Sequence, residues 1–451
     1  MGNNTMKKML GFIIGSLVVG VLAWNYLGEN KEKAAEPLME KKQVEFWVVS
    51  DPHYINNNLT DSGSAYENIK RTAAGKELDY QEESWQAFID KAIEQKPDML
   101  ILTGDLTLNG EKASAERLAE LLKQLTDKGI KVFVIPGNHD INDGWARKFV
   151  GDKQEKTAAI SIADFKEIFA ENGYQNATSY DKSSLSYSVA VNPTYNFLFL
   201  DSNIYPDDNQ PQTRPATGGM IRGKTMSWVK KQLEEGKQAK KKTLVFMHHN
   251  IYAHNKLLSS GFVLNNADKF KQLLVEYQVP VVFSGHIHAQ DIMTEMIDNK
   301  QLTEIVSGSF SITPQSYGVI HLDGNLFSYR KNQNDVDTWA KENNITTPQV
   351  RNYKEYLRNS FIEDGKRLAY AQLIDSGMTD EAQMDIAADF VGKMNVRFFS
   401  GEDYSSDGVI EKLKQEKGYQ IIAENSKFLK EYIDSIIQDK NEEDNRLKKE
   451  F

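Results

Sequence analysis

The sequence predicts an α/β domain followed by an all-α helical bundle, and three observations predict it. From Val44 onward, short apolar runs alternate with longer amphipathic segments, the pattern of strands packed under helices. From Val336 to Ile437 the strand signal almost disappears, and apolar residues recur at helical spacing. At 451 residues the chain is too long for one compact core, so two folded domains are expected. Composition narrows the classes further. The chain is 40% hydrophobic and 26% charged, as ordinary globular proteins are. A formal net charge of -10 excludes a protein that coats nucleic acid, whose footprint would be basic. With no cysteine there are no disulfides, thiolate metal sites or cysteine nucleophiles, which leaves His, Asp, Glu and Asn as available ligands.

The elements follow in chain order. Lys7 and Lys8 precede an apolar run from Met9 to Trp24 that continues through Tyr26 and Leu27 and ends where the chain turns charged at Glu29. Residues 1–27 are read as a signal anchor near the lower length limit of a membrane span, with Trp24 and Tyr26 as an interfacial belt. The lysine pair keeps the N-terminus cytoplasmic and places the remainder of the chain outside the cell membrane. The alternative is a cleaved signal peptide, with Val21-Leu22-Ala23 as the small-residue site, which leads to secretion. Residues 28–42, where Glu and Lys alternate, are expected to be a solvated stalk.

Five apolar runs then end in chemistry. VEFWVVS (44–50) ends at Asp51-Pro52-His53, and DMLILT (98–103) at Gly104-Asp105. KVFVIP (131–136) ends at Gly137-Asn138-His139-Asp140, and KTLVFM (242–247) at His248-His249. VPVVFS (279–284) ends at Gly285-His286-Ile287-His288. Ligands of open α/β sheets bind beyond the carboxyl ends of the strands. Five strand ends therefore bring Asp, His, Asp, Asn, His, His and His to one edge of one domain. Each fragment alone reads as a turn or a satisfied core histidine. Together they do not, because six of the eight histidines fall at these ends. Imidazole and carboxylate suit first-row metal ions. Seven ligands exceed what one ion takes, so two ions sharing a carboxylate is the economical arrangement. Two such ions, roughly 3.5–4 Å apart, clamp a phosphate and activate water.

This order of motifs resembles the calcineurin-like metallophosphoesterase superfamily over residues 43–331, and within it the class III cyclic nucleotide phosphodiesterases. The resemblance implies a two-sheet β-sandwich flanked by helices and two divalent or trivalent transition-metal ions such as Mn, Fe or Zn. It implies Asp51, His53, Asp105 and His288 on the first metal, and Asn138, His248 and His286 on the second, with Asp105 bridging. His248 is preferred to His249 because the family's ligand directly follows the strand. His139 is implied to contact the phosphate and protonate the leaving oxygen, and Asp140 to orient it. Relatives often carry proline after the His-His pair; here Asn250 takes that place, which bears on the rim of the substrate site.

The expected activity is a metal-dependent phosphodiesterase acting on cyclic or other nucleotides through a metal-bridging hydroxide. The alternatives are a phosphomonoesterase, a phosphodiesterase for lipid head groups or wall polymers, and a non-catalytic binding module with structural metals. The presence of His139 argues against the last, since a structural site needs no proton donor. The remaining polar residues carry weaker signals. Asn109-Gly110 reads as a turn before it reads as a substrate contact, and the insert 54–80 as either a lid or a mobile loop. Arg222, near Gly218-Gly219, reads as a surface residue before a phosphate ligand. His254 is a further candidate for the same cleft, and His321 a plain strand residue within YGVIHLDGNLFSYR (317–330), a hairpin closing the first domain. Residues 332–440 are expected to form three to five helices with no histidine and no ligand-spaced carboxylate cluster, and 441–451 a frayed tail.

Overall fold

The computed structural model describes residues 36–142, 144–205, 216–439 and 441–451. The anchor read over 1–27 and most of the stalk lie outside the described residues. In chain order the first strands are β1 (Val44–Val49), β2 (Met99–Leu102), β3 (Lys131–Val134), β4 (Arg147–Val150) and β5 (Lys153–Lys156). Then come β6 (Ser179–Tyr180), β7 (Tyr187–Ala190), β8 (Tyr195–Leu200), β9 (Lys242–Met247) and β10 (Val281–Ser284). The last are β11 (Asp291–Ile297), β12 (Lys300–Val306), β13 (Ser316–Asp323), β14 (Leu326–Gln333) and β15 (Arg446–Glu450). The helices of the first region are α1 (Ser64–Thr72), α2 (Gln81–Gln95), α3 (Lys112–Thr126), α4 (Ile162–Ile168), α5 (Gly223–Gln238) and α6 (Ala267–Glu276). Those that follow are α7 (Val336–Glu342), α8 (Pro348–Arg351), α9 (Tyr353–Asp375), α10 (Glu381–Phe399), α11 (Asp407–Gln415), α12 (Lys417–Asn425) and α13 (Lys427–Ile436).

Among the described residues two large sheets result, one ordered β15-β14-β13-β1-β2-β3 and the other β11-β12-β10-β9-β8-β7-β6, with β4 and β5 pairing separately as a two-stranded sheet. The pairs β1–β2, β2–β3, β8–β9, β9–β10 and β10–β12 are parallel, with β3 at the edge of the first sheet. Such strands are covered on both faces, which is why their sequences read as continuous apolar runs. The sheets meet through aromatic rings. Phe283, Phe246 and Phe199 stack in a column with successive centroids 5.0 and 5.1 Å apart. Phe46 of β1 crosses from the other sheet and sets its ring edge against Phe197, Phe246 and Phe283 at 5.2–5.8 Å. Truncating such a ring to Ala typically costs about 3–5 kcal/mol. On the outer face of the first sheet, Trp47 packs against Phe88 of α2 and Tyr317 of β13.

Several expectations need correction. Residues 36–42 do not stand off as a stalk: Leu38 and Met39 donate backbone N–H groups to Ala190 and Val191, and Asn192 donates to the Lys41 and Lys42 carbonyls. The tail is not frayed, because β15 pairs antiparallel with β14, and Phe451 packs its ring on Phe327 at 5.2 Å. Its lysines suit a sheet edge, where charge discourages further pairing. The C-terminal region holds seven helices rather than three to five. The run 419–437 breaks at Ser426, whose extended backbone lets its hydroxyl accept from Leu429 N and cap α13. The insert 54–80 is an ordered layer: Ile55, Leu59, Ala65, Tyr66, Ala73 and Leu78 share a small core with Leu108 and Phe149. Tyr54 lies buried and donates to Glu82. Among the described residues no helix is long and apolar enough to cross a membrane.

Candidate metal centre

The five strand ends converge, and their backbone is bent to do so. Asp51, His53, Asp105, His286 and His288 all have positive φ, between 42° and 70°. Asp and His tolerate the left-handed region better than bulky residues, yet such positions persist only where their surroundings enforce them. Packing enforces it here. A Cβ on Gly285 would lie 1.8 Å from Ser50 Oγ and 2.4 Å from Asp51 Oδ2, so only glycine lets the β10 turn reach the β1 turn. His286 N then donates to both Asp51 oxygens at 3.0 and 3.2 Å.

The side chains fall into two groups. Ligand atoms of Asp51, His53, Asp105 and His288 lie within 4.8 Å of one another, and those of Asp105, His248 and His286 do likewise. Asp105 belongs to both. Asn138 Oδ1 lies 3.1 Å from His248 Nε2, alongside the second group. Each group draws on both sheets: Asp51, His53, Asp105 and Asn138 follow β1, β2 and β3, while His248, His286 and His288 follow β9 and β10.

The arrangement fits cations better than it fits itself. His53 Nε2 and His288 Nε2 face each other at 3.0 Å, with Asp105 Oδ2 3.6 Å from the first and Asp51 Oδ1 3.5 Å from the second. One proton can bridge those two nitrogens, whereas a bound cation would take both lone pairs. His248 Nδ1 lies 2.9 Å from the Thr103 carbonyl, which fixes a proton there and points Nε2 toward Asn138 Oδ1 and Asp105 Oδ1. His286 Nε2 sits 3.0 Å from two carbonyls, Thr217 and Gly261, which leaves Nδ1 for a ligand. His53 Nδ1 and Asn138 Nδ2 are buried without a hydrogen-bond partner. Burial holds His53 and His288 well below the ordinary imidazole range and His286 down to about 4, so all three are neutral donors of lone pairs. Burial also pushes Asp51 up to about 7. For Asp105 burial works the same way, but His248 and His139 overcome it and hold the carboxyl well below its usual range. Burial opposes charge on His248, while the Asp105 carboxylate raises it to about 9. The pocket attracts positive charge.

His139 stands beside these groups. Its N–H donates to Asp105 Oδ1 at 2.9 Å, and its ring, half-buried, lies 5.2 Å from the His53 ring. Ring Nδ1 is 3.1 Å from Asn109 Oδ1, so Asn109, read from sequence as a turn first, helps orient the ring together with the Leu108 backbone. Asp140 acts elsewhere. Its two oxygens accept from Leu106 N, Thr107 N, Thr107 Oγ1 and Gly137 N, a set that saturates the carboxylate and ties the β2 loop to the β3 loop. The expectation that Asp140 orients His139 is corrected accordingly.

A family model described as calcineurin-like phosphoesterase matches residues 44–290, and one described as the C-terminal domain of cyclic nucleotide phosphodiesterase matches 335–443. The chain belongs to the calcineurin-like phosphoesterases. With that C-terminal domain behind it, the chain is a metal-dependent phosphodiesterase, a hydrolase. Similar proteins include a "Probable cyclic nucleotide phosphodiesterase" of Coxiella burnetii, 25% identical over 251 residues, 55% of this chain and 78% of that one. A 3',5'-cyclic-nucleotide phosphodiesterase of Nostoc is 23% identical over 46% of this chain and 63% of its own length. A "Probable glycerophosphodiester phosphodiesterase" of Arcobacter nitrofigilis is 25% identical over 44% and 58% respectively. The match thus spans less than two thirds of the Nostoc and Arcobacter proteins.

In this calcineurin-like chain the neighbouring residues hold the structure together. His249 turns away to Ser202, with Nδ1 2.8 Å from the hydroxyl. Asn250 is not at a substrate rim: it is buried and donates to Ser284 Oγ and the Gly285 carbonyl, joining the β9 and β10 turns. His254 does not face the cleft. It is buried between Asp291 at 2.7 Å and Glu304 at 2.9 Å, which overcome the effect of burial and raise it to about 10. Asp439, at the end of the helical region, and Asp444, in the segment expected to fray, gather with Asp291, their oxygens within 4.8 Å. Burial and Asp291 push Asp444 to about 11, so it is a neutral carboxylic acid, and charged His254 balances Asp291. His321 is an exposed residue of β13 and Arg222 an exposed residue before α5.

Proposed function

We propose that this chain hydrolyses cyclic nucleotides at two transition-metal ions, with manganese or iron as the leading candidates. Asp51, His53, Asp105 and His288 would hold one ion, and Asp105, Asn138, His248 and His286 the other. The observation that carries the reading is the pair of ligand groups sharing Asp105, whose Oδ1 also accepts from His139 N. When bound, the ions supply Lewis-acid charge to the phosphoryl oxygens and activate water.

The chain's own residues do the remainder. Asn109, 3.1 Å from Nδ1, helps hold the His139 imidazole, the group that would exchange a proton with the leaving oxygen. Asp140 keeps the Asp105 and His139 loops in register through its four donors. His139 and His288, the two site histidines that keep some solvent contact, mark the side from which substrate enters. The names of relatives, two of them cyclic nucleotide phosphodiesterases, support cyclic nucleotides over lipid head groups.

The test is hydrolysis of 3',5'-cyclic AMP, glycerophosphodiesters and bis(p-nitrophenyl) phosphate by Mn²⁺-loaded protein. Cyclic AMP should be cleaved. No turnover of any diester by protein carrying two ions per chain would sink the reading. The apolar run 9–27 supports an extracytoplasmic, membrane-tethered enzyme; recovery of the native full chain in the cytosolic fraction would overturn that part.

A further inference from the structure

The metal centre occupies one end of the sandwich, and the chain enters the fold at the other. β1, β2 and β3 are parallel, as are β8, β9, β10 and β12, and the carboxyl ends of β1, β2, β3, β9 and β10 carry the proposed ligands. The amino ends of these strands therefore share the far end. Two bonds join the sheets there. Lys242 Nζ donates to Asn325 Oδ1 at 2.7 Å, and Tyr195 Oη donates to the Gly324 carbonyl at 2.8 Å, which ties the starts of β8 and β9 to the β13–β14 turn. β1 spans six residues, about 20 Å, between the two ends. The C-terminal helices pack near Ile287, Ala289 and Val306, beside the site, and among the described residues they leave the far end uncovered.

That end is basic in a chain whose net charge is -10. The segments leading into β1, β2, β3 and β9 (40–43, 96–98, 127–131 and 239–242) hold eight lysines against three carboxylates, and Asp323 at the end of β13 adds a fourth. Two of those carboxylates are already engaged, Asp98 by Lys41 and Asp127 by Lys123. Lys42, Lys96, Lys128, Lys131 and Lys240 are exposed, with no carboxylate within salt-bridge distance among the described residues. Leu326, 55% exposed, and Met296, 62% exposed, stand at the same end. Unpaired lysines among exposed apolar side chains suit an anionic lipid surface, where headgroups take the charge and apolar groups reach between them. The course of the chain points to the same partner. Glu36 follows Leu27, the last residue of the apolar run, by nine residues, which span at most about 32 Å when fully extended. A run seated in a membrane therefore keeps the lysine-bearing end within that distance of the surface.

We propose that this end rests on the anionic headgroups of the membrane that the apolar run enters, so that the metal centre opens toward the aqueous phase. The inference rests on the tethered part of the proposed function and deepens it. A diester dissolved in the medium reaches the site, and a head group of the supporting membrane does not. The chain has no cysteine, so one substitution creates one labelling site. Asn325→Cys reports from the lysine-bearing end. Ser260→Cys reports from the site, next to Gly261, whose carbonyl is 3.0 Å from His286 Nε2. Each full-length chain, dye-labelled, is reconstituted into phosphatidylcholine vesicles with or without phosphatidylglycerol, and energy transfer to an acceptor on the headgroups is measured. With phosphatidylglycerol, transfer should be strong from the Asn325→Cys label and weak from the Ser260→Cys label, and high salt should weaken the former. Lys42→Gln, Lys131→Gln and Lys240→Gln combined should lower the ratio of docked to undocked chain roughly 100-fold, about fivefold per lysine. Equal transfer from the two labels would overturn the docking surface and leave the tether standing. So would transfer from the Asn325→Cys label that ignores both phosphatidylglycerol and the three lysines. Full chain recovered free of both kinds of vesicle would end the tether reading, and this inference with it.

Discussion

Replacing Asp105 by Asn keeps the side-chain shape, retains an oxygen for the His139 N–H, and removes the one carboxylate common to both ligand groups. Its weight can be read from His248, which the carboxylate lifts from 6.5 to about 9 against burial. Asp51 contributes a smaller share. Removing one partner of a buried charge pair typically costs about 3–5 kcal/mol. A divalent ion carries twice the charge, so each ion should bind at least about 100-fold more weakly. The variant, passed through gel filtration and analysed for metal, should hold fewer than two ions per chain. Its diester hydrolysis should fall by roughly 10³ or more, while its circular dichroism stays native. Two retained ions with turnover within tenfold of the parent would refute the bridging assignment.

Three further outcomes are expected. His139→Ala should keep its metal and lose about 10²–10⁴-fold on an alkyl ester but far less on a nitrophenyl ester; equal losses on both, with loss of metal, would make His139 a ligand. Gly285→Ala places a methyl 1.8 Å from Ser50 Oγ, so it should lose metal affinity and roughly 1–3 kcal/mol of stability, and an unchanged melting temperature would show that the β1 and β10 turns can separate. His254 is raised from 6.5 to about 10, so its stabilisation is full below about pH 6.5 and is lost as pH climbs toward 10. Asp444, raised from 3.8 to about 11, has the same sign. The metal-loaded protein should therefore melt several degrees lower at pH 9.5 than at pH 7, and His254→Gln should flatten that slope; a melting temperature that rises with pH would contradict the ion-pair reading.

What the sequence disclosed was local. A parallel strand buried on both faces must be apolar along its length, and the polar residues that end it stand out, so Asp51, Asp105, Asn138, His248 and His286 were readable one strand at a time. The ordering of β1, β2 and β3 in one sheet and of β9 and β10 in another was not, since pairing depends on which apolar faces meet. Asn109 was read as a turn because its partner, His139, is 30 residues away. His254 was ambiguous for the same reason: Asp291 and Glu304 lie on strands of a hairpin that folds back over it. The charge of the segment 446–450 hid a strand that pairs with β14.

Because each ligand group takes residues from both sheets, a bound ion would act as a rivet through the sandwich. The column of Phe199, Phe246 and Phe283, with Phe46 set across it, fixes the spacing that the rivet must span. Core and site are therefore not separate quantities in this protein. A conservative change among those rings that lets one sheet slide by a fraction of an ångström should appear first as altered metal affinity, and only later as lost stability. Selection for tighter metal binding would then act as readily on buried phenylalanines as on the histidines themselves.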